Sequence, residues 1–300
     1  MFDVYCYGMI TASTVHLIDD AFIFPKPNDY AEIRETMYSV GGEAVNSAIV
    51  LSKLGLKTKF DGNYLNKKTA GKIFELLEPY EIDLSSLKIT DEFGTEEIVI
   101  TDKTTRTVFG NYAAFHYGAK QWNAPSEEDI INSRIVALDP YFKEESREAA
   151  KLCVKNNIRY VTLDCPFDDY MAQNAAAIVI SHELTNKSYP NEDLVSVFKK
   201  YQENCKGLII FTFGENELWY ARKSEKMKKF VPYKINPVDT TGAGDSFRGG
   251  IVYGLLNEWN DKDVVDFASA LAACVCLSVP HTLNAPGLEG IFSFMKEHKK

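Results

Sequence analysis

The chain reads as an α/β protein whose mostly parallel central sheet is flanked by helices. Two observations carry this reading. Short, continuously apolar runs recur along most of the chain, and amphipathic stretches of helical spacing lie between them. Strands that are apolar at every position belong to a sheet covered on both faces. The run VDTTGAGDSF, residues 238–247, then leads from an irregular segment into a helix with Ile251, Leu255 and Leu256 at helical spacing.

In chain order, residues 4–7 predict an opening strand. Residues 44–54 predict a helix that Gly55 stops, and 57–61 a second strand. Further strands are predicted at 135–138, 160–163, 178–180 and 208–213, with helices at 145–156, 170–176 and 194–204. Residues 243–278 and 288–296 read as mostly helical. Two ranges, approximately 11–38 and 95–116, break the alternation. They are rich in Thr, Tyr, Phe and Ile, and Val99, Thr101, Thr107 and Phe109 favour strands. Paired into a small sheet, they form a β-rich lid on a single folding unit spanning 1–300.

Composition narrows the function. A formal charge of −9 argues against a nucleic-acid backbone as partner. Cys6, Cys153, Cys165, Cys205, Cys274 and Cys276 form no CxxC pair, so free thiols in a reducing cytoplasm are expected. The N-terminus shows no basic, apolar leader, and no apolar run is long enough to span a membrane. The five histidines show no metal-ligand spacing; His281 is expected at the surface.

The chemistry centres on residues 239–250. Free N–H groups at a helix start attract anions, and glycines admit a phosphate to the backbone. Asp245, at the same spot, can accept a proton from a hydroxyl. Its other reading is a helix-start acid that complements the dipole, and Gly242 and Gly244 can equally be turn glycines.

The residues at this point resemble the ribokinase-like (PfkB) carbohydrate kinases. DTTGAGDSFRGG, residues 239–250, is similar to their C-terminal signature. GGEAVN, residues 41–46, with Ser47, Ala48 and later Gly55, is similar to their N-terminal one. Thr212-Phe-Gly214 after an apolar run is similar to their nucleotide-side T-x-G. The resemblance implies a ribokinase-like fold and transfer of the γ-phosphoryl group of ATP to a sugar hydroxyl. It implies Asp245 as base and the N–H groups of Gly242, Ala243 and Gly244 as anion hole. It places Thr212 and Gly214 at the nucleotide, and Gly41, Gly42 and Asn46 at the substrate. Arg106, in the lid, either reaches substrate or solubilises a turn. Arg248, one turn past Asp245, either touches phosphate or faces solvent. Asp239 and Thr241 are candidates for a monovalent cation such as K⁺.

Three departures stand out. An Asp in the first βα segment of family members grips sugar hydroxyls; counting from Gly8, Ser13 occupies that place. A serine cannot replace that charge, so an acceptor with fewer hydroxyls or its own acidic group is expected. The magnesium-organising N-x-x-E is replaced by Ser181-His-Glu-Leu-Thr, which leaves Glu183 either serving Mg²⁺ from a shifted register or exposed at a helix start. The glycine-rich stretch after the second strand thins to Gly62-Asn-Tyr-Leu-Asn.

The leading expectation is therefore an ATP- and Mg²⁺-dependent kinase for a small sugar or polyol. A nucleoside kinase of the same fold and a catalytically silent binding protein are the alternatives. A nicotinamide dehydrogenase fits poorly, because no GxGxxG follows the first strand. A homodimer formed through the lid edge completes the expectations.

Overall fold

The structure is a computed structural model describing residues 1–92, 94–102 and 106–298. Residues 103–105 of the second β-rich range, and 299–300 at the chain end, lie outside the described residues.

In chain order the elements begin β1 (Phe2–Gly8), β2 (Thr11–Ile18), β3 (Ile33–Gly41), α1 (Glu43–Lys53), β4 (Thr58–Gly62), β5 (Leu65–Asn66), α2 (Lys67–Leu77), β6 (Ile82–Asp83), β7 (Ile89–Thr90), β8 (Glu96–Thr101), β9 (Arg106–Gly110), α3 (Tyr112–Tyr117) and α4 (Glu127–Ile131). They continue β10 (Ser133–Leu138), α5 (Glu144–Lys155), β11 (Arg159–Leu163), α6 (Tyr170–Asn174), β12 (Ala177–Ser181), α7 (His182–Ser188), α8 (Leu194–Asn204), β13 (Leu208–Phe213), β14 (Asn216–Ala221), β15 (Lys228–Phe230), α9 (Ala243–Leu256), α10 (Asp261–Val275) and α11 (Leu288–Glu297).

The main sheet runs β15-β14-β13-β12-β11-β10-β1-β4-β6. It is parallel from β6 to β13, and β14 and β15 add an antiparallel edge. Successive residues of each inner strand feed opposite cores. Val4 and Cys6 of β1 belong to the core that α1, α9, α10 and α11 complete, while Tyr5 and Tyr7 belong to the opposite core, with Phe142, Trp122 and Phe198. Burial on both faces is why these strands read as unbroken apolar runs. The chain leaves β1 toward β4 on one side and returns to its other side as β10. That switch point opens a crevice at the carboxyl ends of the strands.

A second, four-stranded sheet runs β3-β2-β8-β9. The first β-rich range reaches past Tyr38 to Gly41, and the second ends in helix α3 rather than in strand. Gly55 does end α1, at φ +83°. The helical stretch predicted over 243–278 divides into α9 and α10, because Asn257–Asn260 turn through Glu258 at φ +57° and Asn260 caps the new helix. Both helices are apolar on nearly all sides, so periodicity alone shows no seam. Helix α2 and the β14–β15 hairpin have no counterpart in the sequence reading. All six cysteines are free and buried, and burial pushes the Cys6 thiol up to about 12. Among the described residues no helix is long and apolar enough to cross a membrane.

Candidate active site

Helices α1 and α9 both begin on glycine and carry no side-chain cap. By contrast, Asn66, Ser126, Asp169, Ser181, Asp193 and Asn260 cap α2, α4, α6, α7, α8 and α10. Uncapped N-termini leave backbone donors unsatisfied. Both glycines are structurally required. Gly42 sits at φ +110°, where a Cβ would lie 2.3 Å from the Met9 carbonyl oxygen. Gly242 is left-handed at φ +71°, and its Cβ would meet the His281 ring at 2.4 Å. The turn at Gly242 brings the start of α9 to the surface at Gly244. Gly244 is exposed, while the Ala243 N–H donates to Thr240 O at 3.3 Å.

Asp245 lies in the first turn of α9, partly exposed. Asn46 Nδ2 donates to its Oδ2 at 2.8 Å, and Thr282 Oγ1 donates to Asn46 Oδ1 at 2.9 Å. Ser47 Oγ donates to the Asp245 carbonyl at 3.0 Å and accepts from Arg248 Nε at 3.0 Å. Asn46 and Ser47 therefore hold Asp245 in a fixed orientation. The Asp245 Oδ1 oxygen makes no hydrogen bond among the described residues and is left for another donor.

Arg248 does not face solvent, and its buried Nη2 has no hydrogen-bond partner among the described residues. It is 1% exposed and ion-paired through Nη1 to Asp139, which is fully buried. Asp139 also accepts from the Met9 N–H at 2.9 Å and the Ala44 N–H at 3.0 Å. A Cβ on Gly8 would collide with this carboxylate, which accounts for that glycine. One buried pair thus locks the ends of β1 and β10, the start of α1 and the first turns of α9.

The remaining predicted residues lie on several elements. Gly41 is buried at the end of β3, and Ser13, 3% exposed, pairs in register with Ser39 and Glu97 of the small sheet. Arg106 is exposed at the start of β9, and its charge acts on His281 and Cys276. Thr212 ends β13, while Gly214 is an exposed left-handed turn residue between β13 and β14 at φ +62°. Asp239 Oδ1 accepts from the Thr241 N–H and hydroxyl at 2.9 and 2.7 Å; its buried Oδ2 lies 3.7 Å from His281 Nδ1 without a hydrogen bond. His281 is therefore not a surface residue: it is 1% exposed, packed under Gly242, and burial lowers its pKa. Glu183 is exposed in the first turn of α7, with its carboxylate 3.2 Å from His182 Nδ1. The shortened glycine stretch is occupied by Asn63, fully buried, which bonds both the N–H and carbonyl of Ile10.

Four residues of the site escaped the sequence reading. Asp139 and Asp164 each follow a strand that reads only as apolar. Asp164 accepts from the Ser181 N–H at 2.7 Å and hydroxyl at 2.9 Å, and Glu183 lies near enough to raise its pKa further. Glu43, first in α1, bonds Tyr141; burial and the charges of Asp139 and Asp245 push its carboxyl up to about 8. Glu97 bonds the Tyr112 hydroxyl. The GGEAVN run contained Glu43 in plain view, but only the fold brings its neighbours.

The comparisons give the family and the fold. The family described as "pfkB family carbohydrate kinase" matches residues 1–286. The chain is 24% identical over 290 residues to a 5-dehydro-2-deoxygluconokinase of Clostridium botulinum, covering 87% of this chain and 85% of that one. It is 28% identical over 278 residues to a nucleoside kinase of Methanothermobacter thermautotrophicus, covering 88% and 86%. The solved ribokinase of Thermotoga maritima superposes with a TM-score of 0.79 at 21% identity, covering 99% of this chain and all of that one. A family match that runs nearly end to end, over a fold that ties GAGD at the start of α9 to GGEAVN at the start of α1, makes this chain a member of the pfkB family of carbohydrate kinases.

Proposed function

We propose that this protein transfers the γ-phosphoryl group of ATP to a hydroxyl of a sugar or sugar-like alcohol. The observation that carries the reading is Asp245 itself. It is fixed by Asn46 through one oxygen, keeps the other available, and stands beside the uncapped start of α9. In that position Asp245 accepts the proton of the acceptor hydroxyl as it attacks. The exposed Gly244 N–H and its neighbours in the GAG turn stabilise the charge spreading over the transferring phosphoryl oxygens. Thr212 and Gly214, at the end of β13, are assigned to the nucleotide side. Arg106 is assigned to the closing of the small sheet over the site as a lid, its charge directed to the phosphate end.

Asp164 and Glu183, with Ser181 between them in the chain, suit a magnesium ion that keeps most of its waters and takes one or two carboxylates. Among the described residues no cluster of three or more acidic, His or Cys side chains forms a metal cage. Such a magnesium would neutralise phosphate charge. The buried, unbonded Asp239 Oδ2 suits a monovalent cation near Thr241 in the same terms. A reducing, cytoplasmic setting is consistent with six buried free thiols.

Similarity to a nucleoside kinase favours a second acceptor class, the ribose of a nucleoside. ADP release measured across a panel of sugars, polyols and nucleosides separates the two. Asp245→Asn tests the mechanism. Turnover on any accepted alcohol should fall by about 10²–10⁴ while ATP still binds; a fall of less than tenfold would remove Asp245 as the base.

A further inference from the structure

The inner wall of the small sheet contains a carboxylate with no cation to match it. Ser13 pairs in register with Ser39 on one side and Glu97 on the other, so the three side chains share one face of the sheet. Thr11, two residues earlier, is on the same face and pairs with Gly41. The Glu97 carboxylate lies over Gly41: a Cβ there would fall 2.1 Å from Glu97 Oε1 and 2.7 Å from Thr11 Cγ2. Gly41 is thus the notch that admits this carboxylate to the site. Tyr112 donates to Glu97 Oε2 and fixes the side chain, while Oε1 has no hydrogen-bond donor and Glu97 no ion pair among the described residues. Thr11 is 1% exposed, and its hydroxyl lies against that of Tyr112. Glu97 Oε1 is thus an aimed carboxylate oxygen on the same sheet face as Ser13 and Thr11. Glu43 links the two ends, since its charge acts on both Tyr112 and Asp245.

We propose that Glu97 is the acceptor-binding carboxylate of this kinase, and that it selects a neutral acceptor with adjacent hydroxyls over an acidic one. The proposal rests on the kinase reading above. A carboxylate accepts two charge-assisted hydrogen bonds from a vicinal diol, with the Thr11 hydroxyl completing the set. Placed on β8, it supplies from the small sheet the charge that Ser13 cannot supply from β2. A neutral acceptor departs from the expectation of an acidic one, and the comparison with gluconate decides between them. A carboxylate on the acceptor would enter between Glu97 and Asp245, where like charges repel and Glu43 brings no positive charge. Arg248 is 1% exposed and ion-paired through Nη1 to Asp139. Arg106 pairs with Thr101, four residues along β8 from Glu97, roughly 13 Å away at strand rise. Its charge serves the other end of the cleft.

The test compares wild type with Glu97→Gln, titrating D-ribose, D-fructose, myo-inositol and adenosine against D-gluconate by calorimetry, and following ADP release in parallel. The expected result is at least tenfold preference for a neutral compound over gluconate. In Glu97→Gln the Kd and KM for that compound should rise at least tenfold, with kcat within threefold and the ATP-induced rise in Tm retained. Unchanged Kd and KM in a folded, ATP-binding Glu97→Gln protein would overturn the proposal, as would a preference for gluconate. Failure of the kinase reading shows differently: wild type would bind the neutral compound without phosphoryl transfer, and the affinity comparison at Glu97 would still be decisive.

Discussion

Asp245 is usable because its neighbours spend their own polar atoms on it. Asn46, legible in the sequence as a group able to donate and accept, does both here: it gives its amide to Asp245 and takes the Thr282 hydroxyl. Glu43 shows the opposite case, a residue in a recognisable motif whose chemistry the motif does not disclose. Its carboxyl, pushed up to about 8, has a consequence for stability. Between the ordinary Glu value, about 4.3, and about 8, the folded chain keeps a proton that the unfolded chain has released. Stability is therefore full at low pH and falls as pH rises through this window, by at most about 1.4 kcal/mol per unit from this group. Glu43→Gln should flatten the dependence of Tm on pH between 5 and 8, and should stabilise the protein more at pH 8 than at pH 5. Parallel Tm–pH curves for the two proteins would contradict this.

Among the elements, the Arg248–Asp139 pair has the widest reach. It is buried, it connects residues 109 apart in sequence, and it joins four elements at the crevice. Burying charges gains little net stability, but removing one partner strands the other. Arg248→Met should therefore cost about 3–5 kcal/mol in urea unfolding. It should also lower turnover, because Ser47 loses the donor that orients it toward the Asp245 backbone. A loss below about 1 kcal/mol would show that the pair is not a lock. From the sequence, Arg248 is simply a cation three positions after Asp245, and solvent or phosphate are its natural partners. Asp139 is the polar end of an apolar strand. Neither residue points to the other until β10 is set beside β1. Glycine was more legible. Gly42 and Gly242 stood out in their motifs, and the structure supplies the steric reason in the Met9 carbonyl and the His281 ring.

For the whole molecule, the small sheet raises the question of assembly. Tyr38, Ile98 and Phe109 occupy one row across β3, β8 and β9, in register through Thr14, and are 58%, 46% and 53% exposed. A row of exposed apolar side chains on a sheet with two free edge strands is what a second copy would cover. We propose a homodimer through this sheet. Light scattering should give about twice the 33.8 kDa chain mass, and Ile98→Lys should shift it toward the monomer. Monomeric wild type at micromolar concentration would count against the assembly.

The sequence by itself determined the parallel core and marked residues 239–250 as the candidate reacting segment. Continuous apolar runs, a helix stop at Gly55 and the GAGD start of α9 are local signals that survive in any tertiary context. It left open the seam between α9 and α10, the β14–β15 hairpin, and every partner more than a few residues away. Tertiary structure alone decided that Arg248 and His281 are buried, that Asp139 pairs with Arg248, and that Glu97 lies in register beside Ser13. The reason is physical: backbone propensity and hydrophobic period act over one or two turns, whereas burial, ion pairing and register depend on which strands the fold sets side by side.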